Sequence, residues 1–374
     1  MKYSEKKLAF AGPLLSPKEV AIVAQAACDG WYETFDKYMN GFTDEAKKYF
    51  GVKYAIGTHC CTQALHLACL ALGLKEGDEV IVQDHSWVAT AYSITYTGAR
   101  CVFVDIDPQT LCISPEAIEK AITPATKAIM LVHNFGVPAD MDEIMEIAKK
   151  HNLKVIEDAA PALGAEYKGR KCGSIGDIGC ISFQGGKIAV ASEGGLFLTN
   201  DKHLYERAIL LSSMGRNDSK AAFWSDEIGY QYTIGSLPAA IATVQIQRAD
   251  ELVANKRRIY RQYVERLENH PLVDHFIKEK EGTLANYTYP SLFLKDEVKI
   301  STPEIIAKLK ECNIHGRTAF PPMSEFPVYK AEKRYDNPVA NWFFKRGIVL
   351  PAAHNITEDD IQLICDNLIE LIEG

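Results

Sequence analysis

From residue 54 to residue 199 the chain alternates short apolar, often β-branched runs with longer amphipathic ones. Residues 54–57, 79–83, 101–104, 128–132, 154–157, 178–183 and 196–199 have the length and composition of buried strands. Helical patterns at 62–74, 90–96, 114–121 and 141–151 lie between them. In the first of these, Leu65, Leu67, Leu70 and Leu72 fall on more than one face, the pattern of a helix covered on several sides. The alternation predicts an α/β protein with a mainly parallel central sheet flanked by helices, and places ligand chemistry outside the carboxyl ends of the strands.

Two helices precede this unit. One spans 16–32, with Ser16 as N-cap and Pro17 at its first position; a shorter one at 45–50 is ended by Gly51. A long helical segment, 236–268, carries the chain into a smaller C-terminal α+β domain, so the expected division is 1–245 for the large domain and 246–374 for the small one. The small domain should hold a strand at 286–294 and helices at 302–312 and 358–372. The proline-rich run 320–330 is a loop suited to substrate contact.

Charge and cysteine content narrow the classes. A net charge of −8 without a stripe of Lys and Arg gives nucleic acid no electrostatic footing. The triplet at 256–258, KRR, falls in a helical pattern and reads as a solvated face. No apolar run has the length of a signal peptide core or a membrane span, so a cytoplasmic protein is expected. The ten cysteines form no CxxC pair and no metal-ligand spacing, which predicts reduced, mostly buried thiols and no metal site.

The candidate chemistry centres on Lys187, on a glycine-flanked loop between two buried strands. Desolvation lowers an amine's pKa and makes a nucleophile of it, as in Schiff-base lysines; the plainer alternative is a solvated loop lysine. Cys61 and Thr62 stand where the first strand turns into a helix, whose free N–H groups suit a phosphate. Trp87 follows the next strand, where an indole can stack on a planar ligand or simply pack in the core. Asp158 ends a central strand; it either caps a helix or, buried, needs a cationic partner such as a protonated pyridine nitrogen. A phosphate site, an aromatic face, a strand-end aspartate and a lysine, in that order, are the elements that hold pyridoxal 5'-phosphate.

The strings ALHLACLALGLKEGDEVIV, VPADMDEIMEIAKKHNLKVIEDAA, GSIGDIGCISF and the SEGG after the lysine resemble the DegT/StrS-type pyridoxal phosphate-dependent sugar aminotransferases, of the type I, aspartate aminotransferase fold. The likeness runs over nearly the whole chain. It implies that Lys187 bonds the cofactor and shuttles a proton, and that Asp158 pairs with the ring nitrogen. It further implies that Ser182, Cys61 and Thr62 hold the phosphate, that Trp87 stacks on the ring, and that Gln231 reaches the site of a neighbouring subunit in a homodimer.

Departures from the family pattern are local. Cys60, Cys61 and Thr62 replace Ser-Gly-Thr, and Pro161 stands where a glutamine contacts the cofactor's 3'-oxygen. GYQYT replaces a GYNYR-like string, and Ser192 replaces a glycine. Histidine in place of the lysine marks the family's dehydratases, and Lys187 excludes that reading. A P-loop read from GGK fails because Ile188 stands where a magnesium-binding Ser or Thr is required.

The activity implied is ping-pong transfer of an amino group from L-glutamate or L-glutamine. The acceptor is a keto sugar, keto-cyclitol or small phosphorylated ketone of carbohydrate, polysaccharide or secondary-metabolite biosynthesis. Phe183, Gln184 and the 320–323 loop resemble the cyclitol and small-polyol branch more than the nucleotide-sugar branch. Arg216, Arg317 and Lys330 are candidate partners for a phosphate or the donor's carboxylate. The alternative class is a non-catalytic regulatory or binding protein on the same scaffold.

Overall fold

The computed structural model describes residues 1–217, 219–332 and 334–374. Helix α1 (Pro17–Asp29) begins with the expected Ser16 cap, closed into a capping box by Glu19, and stops at Gly30 rather than running on to residue 32. Helix α2 (Lys37–Phe50) starts eight residues before the sequence pattern suggests. Its buried Tyr38, Phe42, Ala46 and Phe50 repeat every four residues and make one continuous face. Asn40 and Gly41, poor helix formers, mask that repeat in the sequence.

The central sheet is built from β1 (Tyr54–Thr58), β2 (Glu79–Gln83), β3 (Arg100–Val104), β4 (Thr126–Val132) and β5 (Lys154–Asp158). After the short hairpin of β6 (Glu166–Tyr167) and β7 (Arg170–Lys171), it is completed by β8 (Ile178–Ser182) and β9 (Gly195–Thr199). Its order is β1-β9-β8-β5-β4-β2-β3. Strand β9 runs against both its neighbours, while the pairings from β8 to β3 are parallel, so β1, β2, β4, β5 and β8 end at one edge. Helices α3 (Cys61–Ala71), α4 (Ala89–Thr95), α5 (Pro115–Ala121) and α6 (Met141–His151) connect the strands and, with α7 (Lys202–Ser212), cover the sheet.

The helical segment 236–268 is two helices, α8 (Ser236–Gln247) and α9 (Ala249–Leu267), broken at Arg248 with φ −101° and ψ 7°. Arg248 bonds Glu19 and Glu251 at the break. The solvated reading of 256–258 is corrected for Lys256, which is 1% exposed and donates to the Ala352 carbonyl. Helix α9 buries Leu252, Val253, Lys256, Ile259, Tyr260 and Tyr263, a face wide enough to swallow the lysine's stem and its head.

The C-terminal sheet orders β10 (Val273–Phe276), β12 (Ser291–Leu294), β14 (Gly347–Val349) and β13 (Arg317–Thr318) as β10-β12-β14-β13, all antiparallel; β11 (Thr283–Leu284) instead joins the β6–β7 hairpin. Helices α10 (Thr302–Glu311), α11 (Pro338–Arg346) and α12 (Glu358–Glu373) pack with it. Residues 286–290 are not strand. Asn286 donates to the carbonyls of Pro161 and Leu163, and Thr288 donates to that of Pro161, which pulls this stretch out of the ladder.

The first residues of the chain also belong to this unit. Ser4 N donates to Cys312 O, His315 N to Leu8 O and Ala352 N to Phe10 O, and Leu8 is buried in the C-terminal core. Among the described residues no helix is long and apolar enough to cross a membrane.

Candidate active site

At the edge where the parallel strands end lies a cavity of about 490 Å³. Cys61, Thr62, Trp87, Asp158, Ser182 and Lys187, six of the seven residues singled out in the sequence, line it together. The sheet order explains the meeting: β5 and β8 are neighbours and both end here, and α3 starts here after β1.

Asp158 is 4% exposed. Its Oδ2 accepts from Thr90 Oγ1 at 2.7 Å and its Oδ1 from the Ala160 N–H at 3.1 Å. Burial raises the carboxyl above its ordinary value, although both hydrogen bonds favour the anion. No Lys or Arg among the described residues forms an ion pair with it, so a buried carboxylate faces the cavity with two hydrogen bonds and no cation. A protonated ring nitrogen is the partner such a group lacks.

The neighbouring Glu157 is, by contrast, fully satisfied. It accepts from His133 Nε2 at 2.8 Å and from the N–H groups of Gly173, Ile175 and Gly176. Because His133 Nδ1 accepts from Ala139 N–H, the imidazole carries its proton on Nε2 and donates it to Glu157. Of the two adjacent carboxylates, Asp158 alone lines the cavity.

Lys187 is half-buried, on a turn whose Gln184 and Gly185 are exposed, a more open setting than its flanking strands suggest. The Lys187 N–H closes the turn on Gln184 O at 2.8 Å. Ser192 lies in the left-handed region, φ 67°, at the position where the family pattern has glycine. Gly195 is irreplaceable for another reason: a Cβ there would stand 2.6 Å from the Cys60 carbonyl carbon and from Thr58 Oγ1. Strand β9 thus passes the start of α3 closely enough to join the lysine loop to the N–H groups around Cys61 and Thr62.

Trp87 is 61% exposed and tilts over Phe320 at 6.0 Å, offering an indole face at the cavity mouth. Gln231 is exposed, donates to Thr233 Oγ1, and does not line this cavity. Of the three candidate cations only Arg317 lines it; Arg216 sits over Phe223, and Lys330 belongs to a short turn.

Arg317 is the cavity's second unmatched charge. Its Nε and Nη2 are buried without a hydrogen-bond partner, and its guanidinium lies 4.2 Å from the Phe320 ring, 4.3 Å from Phe10 and 4.9 Å from Tyr289. Burial lowers it to about 10, so it stays charged at neutral pH. Beside it His85, fully buried and lowered by burial to about 3, is neutral.

Glu193, of the SEGG string, also lines the cavity, as do Phe10, Asn134, Phe135 and Tyr289, which were not singled out in the sequence. Phe10 arrives from the extended N-terminal segment, which carries no motif. Asn134 and Phe135 follow β4 in the string HNFG, and the positive φ of Phe135 (52°) is invisible in the sequence.

Lys187 and a buried strand-end carboxylate lining one cavity, with a helix N-terminus at one side, on a seven-stranded sheet with one reversed strand, form the arrangement of the type I pyridoxal phosphate-dependent fold. A model of the DegT/DnrJ/EryC1/StrS aminotransferase family matches residues 13–369, and the chain belongs to that family. It is 37% identical over 358 residues to a GDP-perosamine synthase of Escherichia coli O157:H7, covering 96% of each chain. A second GDP-perosamine synthase, from Caulobacter vibrioides, is 36% identical over 369 residues, 98% of each chain. Among solved structures, the aminotransferase TlmJ from Streptoalloteichus hindustanus superposes with a TM-score of 0.90 at 25% identity, covering 98% of this chain and 99% of that one.

Proposed function

We propose that this protein is an aminotransferase that moves an amino group from L-glutamate or L-glutamine to the carbonyl of a keto sugar in carbohydrate biosynthesis. The observation that carries the reading is the single cavity shared by Lys187, the unpaired carboxylate of Asp158 and the start of α3. Bound pyridoxal phosphate supplies an aldehyde and an electron sink. Lys187 would bond it, and its amine would take the donor's Cα proton. Asp158 would hold the proton on the ring nitrogen, and the Trp87 indole would pack against the ring. Ser182 and the N–H groups at Cys61 and Thr62 would receive the phosphate.

Arg317 is assigned to an anionic group of the substrates, first the donor's carboxylate, because its buried N–H groups have no partner. Gln231, exposed in its own subunit, is assigned to the cavity of a second copy in a cytoplasmic homodimer, with the domain boundary between residues 245 and 246. The names of the two curated relatives favour a nucleotide-linked keto sugar as acceptor over the small polyols suggested by Phe183, Gln184 and the 320–323 loop.

The test is visible absorbance of the protein with added pyridoxal phosphate. The unsubstituted protein should show the band of lysine-bound cofactor, and L-glutamate or L-glutamine should bleach it; Lys187→Ala should show no band. A band in Lys187→Ala, or a band in the unsubstituted protein that neither donor changes, would overturn the reading.

A further inference from the structure

The carbonyls of the residues before and after Lys187, Gly186 and Ile188, are both held from the C-terminal part of the chain. Tyr289 Oη donates to Gly186 O at 2.7 Å. His354 Nε2 lies 2.9 Å from Ile188 O. The histidine's tautomer follows from its other contact: Asn255 Nδ2, which can only donate, lies 3.1 Å from His354 Nδ1, so the ring proton is on Nε2 and is given to Ile188 O. The Asn255 amide is itself oriented, since Nδ2 also donates to His354 O and Oδ1 accepts from Arg258. Burial and the nearby Lys256 charge lower His354 to about 4, so the ring is neutral at neutral pH.

Tyr289 is equally fixed. Its ring stacks on Phe10 at 4.7 Å with 17° between planes, and the Arg317 guanidinium lies over it. One residue beyond Ile188 and Ala189, the Val190 N–H donates to Gln245 Oε1 at 3.0 Å, which anchors the downstream end of the loop to α8. The loop needs such anchors because Gln184 and Gly185 are exposed and Gly186 has no side chain to pack.

We infer that Tyr289 and His354 are positioning residues for Lys187, gripping the carbonyls of the residues before and after it so that the reach of the amine into the cavity is set by the C-terminal domain. The inference rests on the reading of Lys187 given above. Neither side chain acts on the reacting atoms through these bonds; each fixes a peptide plane. The amine stands at the end of a long side chain, so a small rotation of the backbone at residue 187 moves it by about an ångström, enough to cost a reaction that depends on alignment.

The experiment uses Tyr289→Phe, which keeps the ring stacking and loses one bond, together with His354→Leu and His354→Gln, the last keeping an amide donor at the reach of Nε2. Two measurements are made on each. Hydrogen exchange of the peptide covering 184–190, without added cofactor, should speed up several-fold in Tyr289→Phe and His354→Leu and stay near the unsubstituted rate in His354→Gln. In the loaded enzyme kcat should fall about tenfold in the first two while KM for the amino donor moves less than about twofold, with His354→Gln recovering most of the loss. Unchanged exchange and unchanged kcat in both Tyr289→Phe and His354→Leu would overturn the inference. Lys187→Ala keeps the two questions apart: loss of the absorbance band there leaves the lysine's role standing whatever the positioning variants do.

Discussion

Lys256→Met isolates the cost of burying an ammonium group inside α9. The amine is 1% exposed, and its hydrogen bond goes to a neutral carbonyl, that of Ala352. Burial lowers its pKa from 10.5 to about 7. The folded state therefore binds the proton more weakly than the unfolded one. A lowered amine pKa is a penalty present in full below pH 7, shrinking as pH rises and gone above 10.5. From these two values the penalty is about 4 kcal/mol at pH 7 and about 1 kcal/mol at pH 10.

Methionine fills a similar volume without charge but leaves the Ala352 carbonyl without its donor, at a cost of about 1–3 kcal/mol at either pH. Urea unfolding should find the variant more stable than the parent at pH 7 by about 1–3 kcal/mol. The advantage should fall by about 3 kcal/mol, and reverse sign, at pH 10. A stability difference that stays the same at both pH values would refute the claim that Lys256 is buried as a titrating amine.

Three further outcomes are expected. Ser192→Gly should raise stability by about 0.5–1 kcal/mol, read as a higher Tm, because φ 67° costs serine about 1–2 kcal/mol and glycine nothing, less the entropy glycine adds to the unfolded chain. Arg317→Met should weaken binding of the amino donor at least tenfold, measured by titrating the cofactor band, while leaving the band itself in place. Pyridoxal phosphate should protect Cys60, which lines the cavity, from alkylation by iodoacetamide but leave exposed Cys28 reacting at its usual rate; equal protection of both or neither would argue against a phosphate at the start of α3.

Much of this site was legible because its parts sit at strand ends. Asp158 and Ser182 close β5 and β8, and Cys61 opens α3 after β1, so alternation of apolar runs already sends them to one edge. Arg317 was visible as a cation but its importance was not, since it depends on an aromatic enclosure drawn from Phe10, Tyr289 and Phe320, three separate regions of the chain. The same holds for Tyr289 and His354: hydrogen bonds to a distant backbone carbonyl leave no periodic trace. Where the reading went astray, at Lys256 and at 286–290, tertiary contacts overrode local pattern. A helix packed over a wide face buries even a lysine, and Asn286 and Thr288 exchange ladder bonds for the Pro161 carbonyl.

The N-terminal segment that bonds Cys312, Leu8's partner His315 and Ala352 sets a timetable for folding. Ser4 and Asn313, which share a hydrogen bond, are 309 residues apart, so on the ribosome the first residues emerge long before anything they pair with exists. Their backbone groups must stay hydrated, or be shielded by another protein, until residues 312–352 have been made. The central sheet from β1 to β9, by contrast, has all its strands by residue 199. The segment that delivers Phe10 to the cavity is thus made well before anything it pairs with and is among the last to dock, and the aromatic enclosure of Arg317 closes only once the C-terminal sheet is available.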